Sequence, residues 1–123
     1  MQLSKFCSAN FDLISIYRSK QGNQKEVTQL IKQLQNQDVP HIVVGDFNFH
    51  YLDEGTNPIK KFFDNRNYSQ LIMKPTHTEG NILDHAYVRD EQKLLKFSAE
   101  VQTKYYTDHR GLALIVKQNE ETL

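Results

Sequence analysis

Alternation of apolar and polar residues predicts strands near the start of the chain. Residues 11–19 (FDLISIYRS) alternate before turning polar, which is typical of a half-buried strand. The preceding QLSKFC is expected to pair with it as a hairpin across SAN. Residues 41–46 (HIVVGD) form a nearly continuous apolar run, which predicts a central strand covered on both faces. Three later segments, GNILDHAYV, LLKFSAEVQT and LALIVK, are predicted to contain strands as well.

The spacing of apolar residues predicts a helix between the strands predicted at residues 11–19 and 41–46. Four apolar residues recur at the i, i+3, i+4 and i+7 positions of one helical face, namely Val27, Leu30, Ile31 and Leu34. Asn23 is placed to cap this helix, and Glu26 follows three residues later, as a capping box requires. We therefore expect a helix of about four turns that ends near the segment NQDVP.

A second, shorter helix is predicted to start at Asn57 and Pro58 and to run through IKKFFDN, because proline is favoured in the first turn. Its apolar residues fall on one side, as in ordinary core packing. The order strand, helix, strand, followed mainly by strands and without repeats or an internal linker, predicts a layered α/β sheet. Residues 1–117 would form the domain and residues 118–123 a polar tail.

Composition narrows the classes of function. The chain has 123 residues, enough for one domain with a modest core. Its 15 Lys and Arg residues balance 15 Asp and Glu residues, so any phosphate-binding surface must be a local patch. The single cysteine, Cys7, is expected to be a buried small hydrophobe and favours a reducing, intracellular compartment. No signal peptide or membrane span is evident, so we expect a soluble protein of the nucleus or the cytoplasm.

Polar, ionisable residues gather at the ends of three predicted strands. They are Asp46 and Asn48, Asp84 and His85, and Asp108 and His109. Since sites on open α/β sheets collect at strand ends, three chain segments could meet at one place. Carboxylate and amide oxygens suit Mg²⁺ or Mn²⁺, whereas zinc is disfavoured because no cysteine cluster or suitable histidine spacing is present.

Simpler interpretations of these residues remain open. Asp46 and Asn48 also fit an Asx turn after Gly45. Asp108 and His109 also fit an ordinary polar loop.

Three further residues, Asp84, His85 and Tyr17, lie in or at the end of predicted strands, and each has its own expected environment. Asp84 lies in an apolar strand, where an ionised carboxylate needs a histidine, an arginine or a metal as partner. His85 alternates to the opposite face and is expected to be structural or exposed. Tyr17 is either a core aromatic or, at the polar end of its strand, part of a site.

Four segments in order, SIYRS, IVVGDFN, PTHTEGNILDHAYV and YYTDHRGLALIV, resemble the C-terminal half of the endonuclease/exonuclease/phosphatase family, which is DNase I-like. The resemblance runs from about Ser4 to Lys117 and is strongest to variants carried by mobile elements. It implies a layered α/β sandwich of the DNase I-like type, incomplete because the N-terminal half is missing. It also implies Mg²⁺ or Mn²⁺ as cofactor and DNA as the nucleic-acid partner.

The resemblance implies roles for the residues of these motifs. Asp46 would orient or deprotonate the attacking water or bind a second metal ion, and Asn48 would bind the scissile phosphate and lie at the metal site. Asp108 would bind the metal. His109 would contact the phosphate and stabilise the transition state, oriented by Asp84.

Further residues of the motifs would contact the substrate. Tyr17 corresponds to a phosphate-contacting tyrosine or histidine of the family, and Thr76 to a threonine near the site. Arg110, in TDHR, is one of several basic residues that would contact a polyanionic substrate if they share a face.

One family feature has no counterpart in this sequence. A glutamate that is a principal metal ligand, and an asparagine, belong to the family's N-terminal half, and neither Glu26 nor Glu54 occupies a matching position. A second chain or the missing half would then complete the sandwich. Three functions stay open: a metal-dependent DNA endonuclease, an inactive remnant that binds or dimerises, and a phosphatase acting on a phospholipid or a small phosphorylated molecule.

Overall fold

A computed structural model describes residues 2–8, 10–19, 25–34, 39–52 and 57–119. In these ranges the chain forms seven strands and two helices. They are β1 (Gln2–Cys7), β2 (Asp12–Tyr17), α1 (Lys25–Gln33), β3 (His41–Asp46), α2 (Pro58–Asp64), β4 (Ser69–Gln70), β5 (Asp84–Arg89), β6 (Leu95–Tyr106) and β7 (His109–Gln118). The predicted α/β class is confirmed, and β4 is an element that the sequence pattern did not reveal.

Five strands form one mixed sheet in the order β1-β2-β3-β5-β4. Strands β1 and β2 pair as the predicted antiparallel hairpin, whereas β2 and β3 run parallel and are connected through α1. Strand β5 pairs antiparallel with β3. The apolar run of β3 is therefore the central strand of the sheet, as its sequence predicts.

Both helices contribute to the core on one face of this sheet. Leu30 of α1 is buried, as is Leu34 directly after the helix, whereas Ile31 is 40% exposed, so Ile31 does not lie on the buried part of the predicted face. Successive helical residues lie about 100° apart, and a helix centred on Leu30 leaves Ile31 at the margin. The proposed cap, Asn23, lies outside the described residues.

The predicted start of α2 is confirmed. Asn57 is the N-cap, and its Oδ1 accepts hydrogen bonds from the backbone N–H groups of Ile59 (2.9 Å) and Lys60 (3.4 Å). Pro58 occupies the first turn, where it removes no helical hydrogen bond. Phe63 is buried and its ring stacks on that of Tyr87 in β5, with 3.9 Å between the centroids.

The opposite face of the sheet is covered by a second, two-stranded sheet of β6 and β7. Val44 and Ala86 of the large sheet lie in one apolar cluster with Ala99 and Leu112 of the hairpin. A cavity of about 420 Å³, lined almost entirely by apolar side chains, remains between the two sheets. The hairpin therefore covers this face without filling the space beneath it.

Two expectations from the sequence need correction. Cys7 is exposed rather than buried, because β1 is the edge strand and Leu3 is its residue that packs against the core. Gln118 ends β7, and the Asn119 side chain donates to the Lys93 carbonyl oxygen (2.8 Å), so both belong to the hairpin and not to a polar tail. Among the described residues, no helix is long and apolar enough to cross a membrane.

Candidate active site

Strand register brings three of the predicted site residues into one row. Tyr17 at the end of β2 is the parallel partner of Asp46 at the end of β3. Asp46 is also the antiparallel partner of Asp84, the first residue of β5. Side chains on directly paired residues lie about 5 Å apart, so one end of the sheet carries a tyrosine and two carboxylates. Asp84 is therefore the first residue of its strand, and the apolar Ile82 and Leu83 precede β5.

Gly45 is required where β3 reaches this end of the sheet. Its φ of +148° favours glycine, and a Cβ atom there would collide with the carbonyl oxygen of Ile16 on the neighbouring strand. The chain then turns, with the Asn48 N–H donating to Asp46 Oδ1 (2.9 Å) and the Asn48 side-chain amide donating to the Arg18 carbonyl oxygen (3.0 Å). The Asx turn and the site thus coexist, since Asp46 Oδ2 faces His109.

His109, the first residue of β7, is the centre of the polar cluster. Its Nδ1 lies 2.7 Å from Asp84 Oδ2, which is the contact that the resemblance implies. Its Nε2 lies 3.8 Å from Asp46 Oδ2 and 3.9 Å from Asp108 Oδ1. Burial lowers the pKa of His109, but the carboxylates of Asp84, Asp46 and Asp108 together outweigh it and raise the pKa above its usual value. The surroundings of this imidazole therefore favour its protonated form.

The pKa values of Asp46 and Asp108, the two carboxylates near His109 Nε2, are shifted in opposite directions. Burial and the neighbouring Asp84 raise the pKa of Asp46, against the lowering effects of the Asn48 N–H and of His109. For Asp108, desolvation acts to raise the pKa, but hydrogen bonds from its own N–H, the Thr107 hydroxyl and His77 lower it overall. Asp46 is thus the better proton acceptor, and Asp108 the more persistently charged group.

A cleft of about 760 Å³ opens at this end of the sheet. Five predicted residues line it: Tyr17, Asp46, Asn48, Asp108 and His109. Four further polar residues line it that the sequence reasoning missed: His50, His77, Glu79 and Asn81. Three of these four stand in the quoted segment PTHTEGN, where only Thr76 was considered. His77 could have been considered from the sequence because it directly follows Thr76 in this segment.

Thr76 and Arg110 do not lie where substrate contact was predicted. Thr76 is fully buried, and its Oγ1 accepts hydrogen bonds from the N–H groups of Leu83 (3.0 Å) and Asp84 (3.1 Å), so it supports the start of β5 from behind the cleft. Arg110 follows His109 in β7, points away from the cleft by strand alternation, and places its guanidinium 4.6 Å from the centre of the Tyr105 ring. Direct substrate contact fits neither position.

His85 is structural, in agreement with the sequence. It is fully buried on the face opposite Asp84, where Nδ1 accepts from the Tyr87 hydroxyl (2.9 Å) and Nε2 donates to the Ile82 carbonyl oxygen (2.8 Å). Burial lowers the pKa of His85 to about 4. Glu26 is buried and pairs with Arg18 (2.9 Å), and it is not among the residues that line the cleft. Glu54 lies outside the described residues.

The donor set fits a hard divalent cation. Two groups of side chains have ligand atoms within 4.8 Å of one another: Asp46, Asp84 and His109, and His77, Asp108 and His109. Carboxylate oxygens dominate the first group, and Mg²⁺ and Mn²⁺ are bound in this way with water completing the coordination. The residues present are therefore compatible with such an ion.

Two solved structures define the fold class. The crystal structure of the Haemophilus ducreyi cytolethal distending toxin matches with a TM-score of 0.62 at 17% identity, over 93% of this chain and 52% of that chain. The structure of CdtB, the biologically active subunit of cytolethal distending toxin, matches with a TM-score of 0.61 at 16% identity, over 95% of this chain and 51% of that one. The fold is therefore DNase I-like, and this chain spans about half the length of the structures it matches.

The sequence defines the family. The family model described as endonuclease-reverse transcriptase matches residues 11–113. The chain belongs to this endonuclease-reverse transcriptase family. None of the curated proteins matches it.

Proposed function

We propose that this chain carries the hydrolytic site of a metal-dependent phosphodiesterase of the DNA endonuclease type. One observation carries the proposal: His109 is held by Asp84 at 2.7 Å, while Asp46 and Asp108 lie 3.8 and 3.9 Å from its Nε2. In this arrangement the protonated imidazole is a hydrogen-bond donor for a phosphate oxygen. The two carboxylates beside it supply a proton acceptor for water and a ligand for a cation.

The groups of the cleft divide the chemical work. A Mg²⁺ or Mn²⁺ ion held by Asp108 would polarise the phosphate and favour ionisation of water. Asp46, whose pKa is raised, accepts a proton from the attacking water. The His109 Nε2–H donates to a phosphate oxygen and stabilises its developing charge, and Asp84 keeps the proton on Nδ1 and the ring in place.

Two side chains are proposed to position the substrate. One N–H of the Asn48 amide is bonded to the Arg18 carbonyl oxygen, which leaves the second N–H for a phosphate oxygen. Tyr17 is 52% exposed at the wall of the cleft, where its hydroxyl is accessible to a phosphate. DNA is the proposed substrate because the chain belongs to an endonuclease family.

The second candidate is a non-catalytic role in which the chain binds the part that completes its fold, and the apolar cavity favours it. The cavity of about 420 Å³ lies beneath a sheet of only two described strands, and the matched structures are about twice as long as the matched region. We propose that strands from the part of the fold outside this chain fill the cavity. Light scattering, which gives the oligomeric state, and binding of an apolar dye test this together. A monomer that binds the dye agrees with the proposal, whereas a dimer that binds none identifies a second copy as the cover.

Relaxation of supercoiled plasmid distinguishes the two functions. We expect relaxation with Mg²⁺ or Mn²⁺, none with EDTA, and a loss of at least about 100-fold in Asp46→Asn. Glu100→Gln, an equivalent change at an exposed position of β6, is the matched control and should relax plasmid at the wild-type rate. DNA binding without metal-dependent relaxation would establish the binding role and refute the hydrolase for this chain.

A further inference from the structure

His77 makes three contacts at the site that the proposed mechanism does not use. Its Nε2 lies 3.2 Å from Asp108 Oδ2, and its Nδ1 lies 3.1 Å from the backbone nitrogen of Glu79. Its ring packs edge-on against that of His109, with 5.1 Å between the centroids. The His77 side chain is 16% exposed, whereas that of Asp108 is 61% exposed. A well-packed imidazole therefore holds an exposed carboxylate.

The hydrogen bonds of His77 determine which of its nitrogens carries the proton. A backbone N–H can only donate, so the Glu79 N–H requires a lone pair on His77 Nδ1. The neutral imidazole then carries its proton on Nε2, which donates to Asp108. Binding a metal through Nε2 would move that proton to Nδ1, against the Glu79 N–H. His77 thus suits a hydrogen-bond donor better than a metal ligand, although its ligand atom lies near those of Asp108 and His109.

Asp108 needs such a donor because it stands at the tip of the β6–β7 hairpin. Its Oδ1 accepts from the Thr107 hydroxyl (3.2 Å), and Oδ2 is the oxygen bound to His77. The backbone joins the same two segments, since the Thr78 N–H donates to the Asp108 carbonyl oxygen (2.9 Å) and the Arg110 N–H to the Thr76 carbonyl oxygen (2.7 Å). An exposed carboxylate otherwise samples several rotamers, and fixing one of them before an ion arrives reduces the entropy lost on binding.

We propose that His77 is a positioning residue that fixes the Asp108 carboxylate for cation binding through its Nε2–H, without itself binding the ion. The proposal rests on the proposed function, because it concerns the ion of the same site. It predicts that an N–H donor at position 77 is sufficient. Gln offers such a donor at similar reach, whereas Leu has none.

Two measurements on the whole chain test this inference. Long-range ¹H–¹⁵N spectra of the metal-free protein should show the Nε2–H tautomer at His77, and it should persist when Mg²⁺ is added. Mn²⁺ affinity, followed by electron paramagnetic resonance, should fall about 10-fold in His77→Leu, as for other residues that orient metal ligands. In His77→Gln it should stay within about threefold of wild type, and thermal melts should show that both variants fold.

Each contrary result has a distinct meaning. The Nδ1–H tautomer, or wild-type affinity in His77→Leu, would overturn the positioning role alone. Equal loss of Mn²⁺ binding in the Gln and Leu variants, with the ¹⁵N resonance of His77 shifting on metal addition, would make His77 a ligand and overturn it as well. A wild-type chain that binds neither Mn²⁺ nor Mg²⁺ would overturn both this inference and the metal-dependent function.

Discussion

Replacing Asp84 by asparagine tests the electrostatics of the site at its shortest contact. The substitution keeps the size of the side chain but removes the charge that lies 2.7 Å from His109 Nδ1. A hydrogen bond between charged groups contributes about 1.5–3 kcal/mol. Because the side chains of His109 and Asp84 are 28% and 16% exposed, solvent screening places the value at the lower end. Losing about 1.5 kcal/mol that favours the protonated imidazole should therefore lower the pKa of His109 in Asp84→Asn.

The assay is an NMR titration of the His109 Cε1–H resonance, assigned by its loss in His109→Asn. In the wild type the pKa of His109 should exceed its usual value of about 6.5. Because the folded-state pKa is raised, this group stabilises the fold fully below about pH 6.5 and loses that contribution as the pH rises through the folded-state pKa. Asp84→Asn should reduce this pH dependence in urea unfolding, and Glu100→Gln should leave it unchanged. A wild-type pKa at or below 6.5, or one that Asp84→Asn does not lower, would refute the reasoning.

Two further predictions concern the scaffold of the site. Burial lowers the pKa of His85 to about 4. Because the unfolded chain takes up a proton at this residue below about pH 6.5 and the folded chain does not, the free energy of unfolding should fall by up to about 3 kcal/mol between pH 6.5 and pH 4. A His85→Gln variant with the same pH dependence in urea unfolding would contradict this. Gly45→Ala should cost at least about 2 kcal/mol in the free energy of unfolding, because its Cβ would meet the Ile16 backbone. Gly80→Ala, also at positive φ but in open space, is the matched control and should cost about 1 kcal/mol; equal costs would refute the steric argument.

Local patterns in the sequence predicted the elements well. The apolar run of β3, the Asn57–Pro58 start of α2 and the strands that carry Asp84 and His109 all depend on near neighbours in the chain. The exposure of Cys7 could not be predicted in this way, because it follows from the position of β1 at the sheet edge.

The site itself depends on contacts between distant segments. Motif order predicted that Asp84 and His109 would meet, and the structure places them in hydrogen-bond contact. His77 was missed because its contact with Asp108 depends on how the 76–80 segment crosses the tip of the hairpin. Thr76 was assigned to the substrate from the family resemblance alone. A threonine in the sequence does not reveal whether its side chain faces a cleft or, as here, supports a strand from behind.

In the proposed mechanism, Asp84 and His109 act as one unit in phosphodiester hydrolysis. The most direct test is the rate of Mg²⁺-dependent plasmid relaxation by Asp84→Asn, by His109→Asn and by the variant that combines them. If Asp84 acts through the imidazole, the combined variant should be no slower than His109→Asn alone, because the partner of a missing group has nothing left to orient. If the losses in relaxation rate of the two single variants multiply in the combined variant, the two residues act independently. If none of the three substitutions slows relaxation, neither residue takes part in hydrolysis.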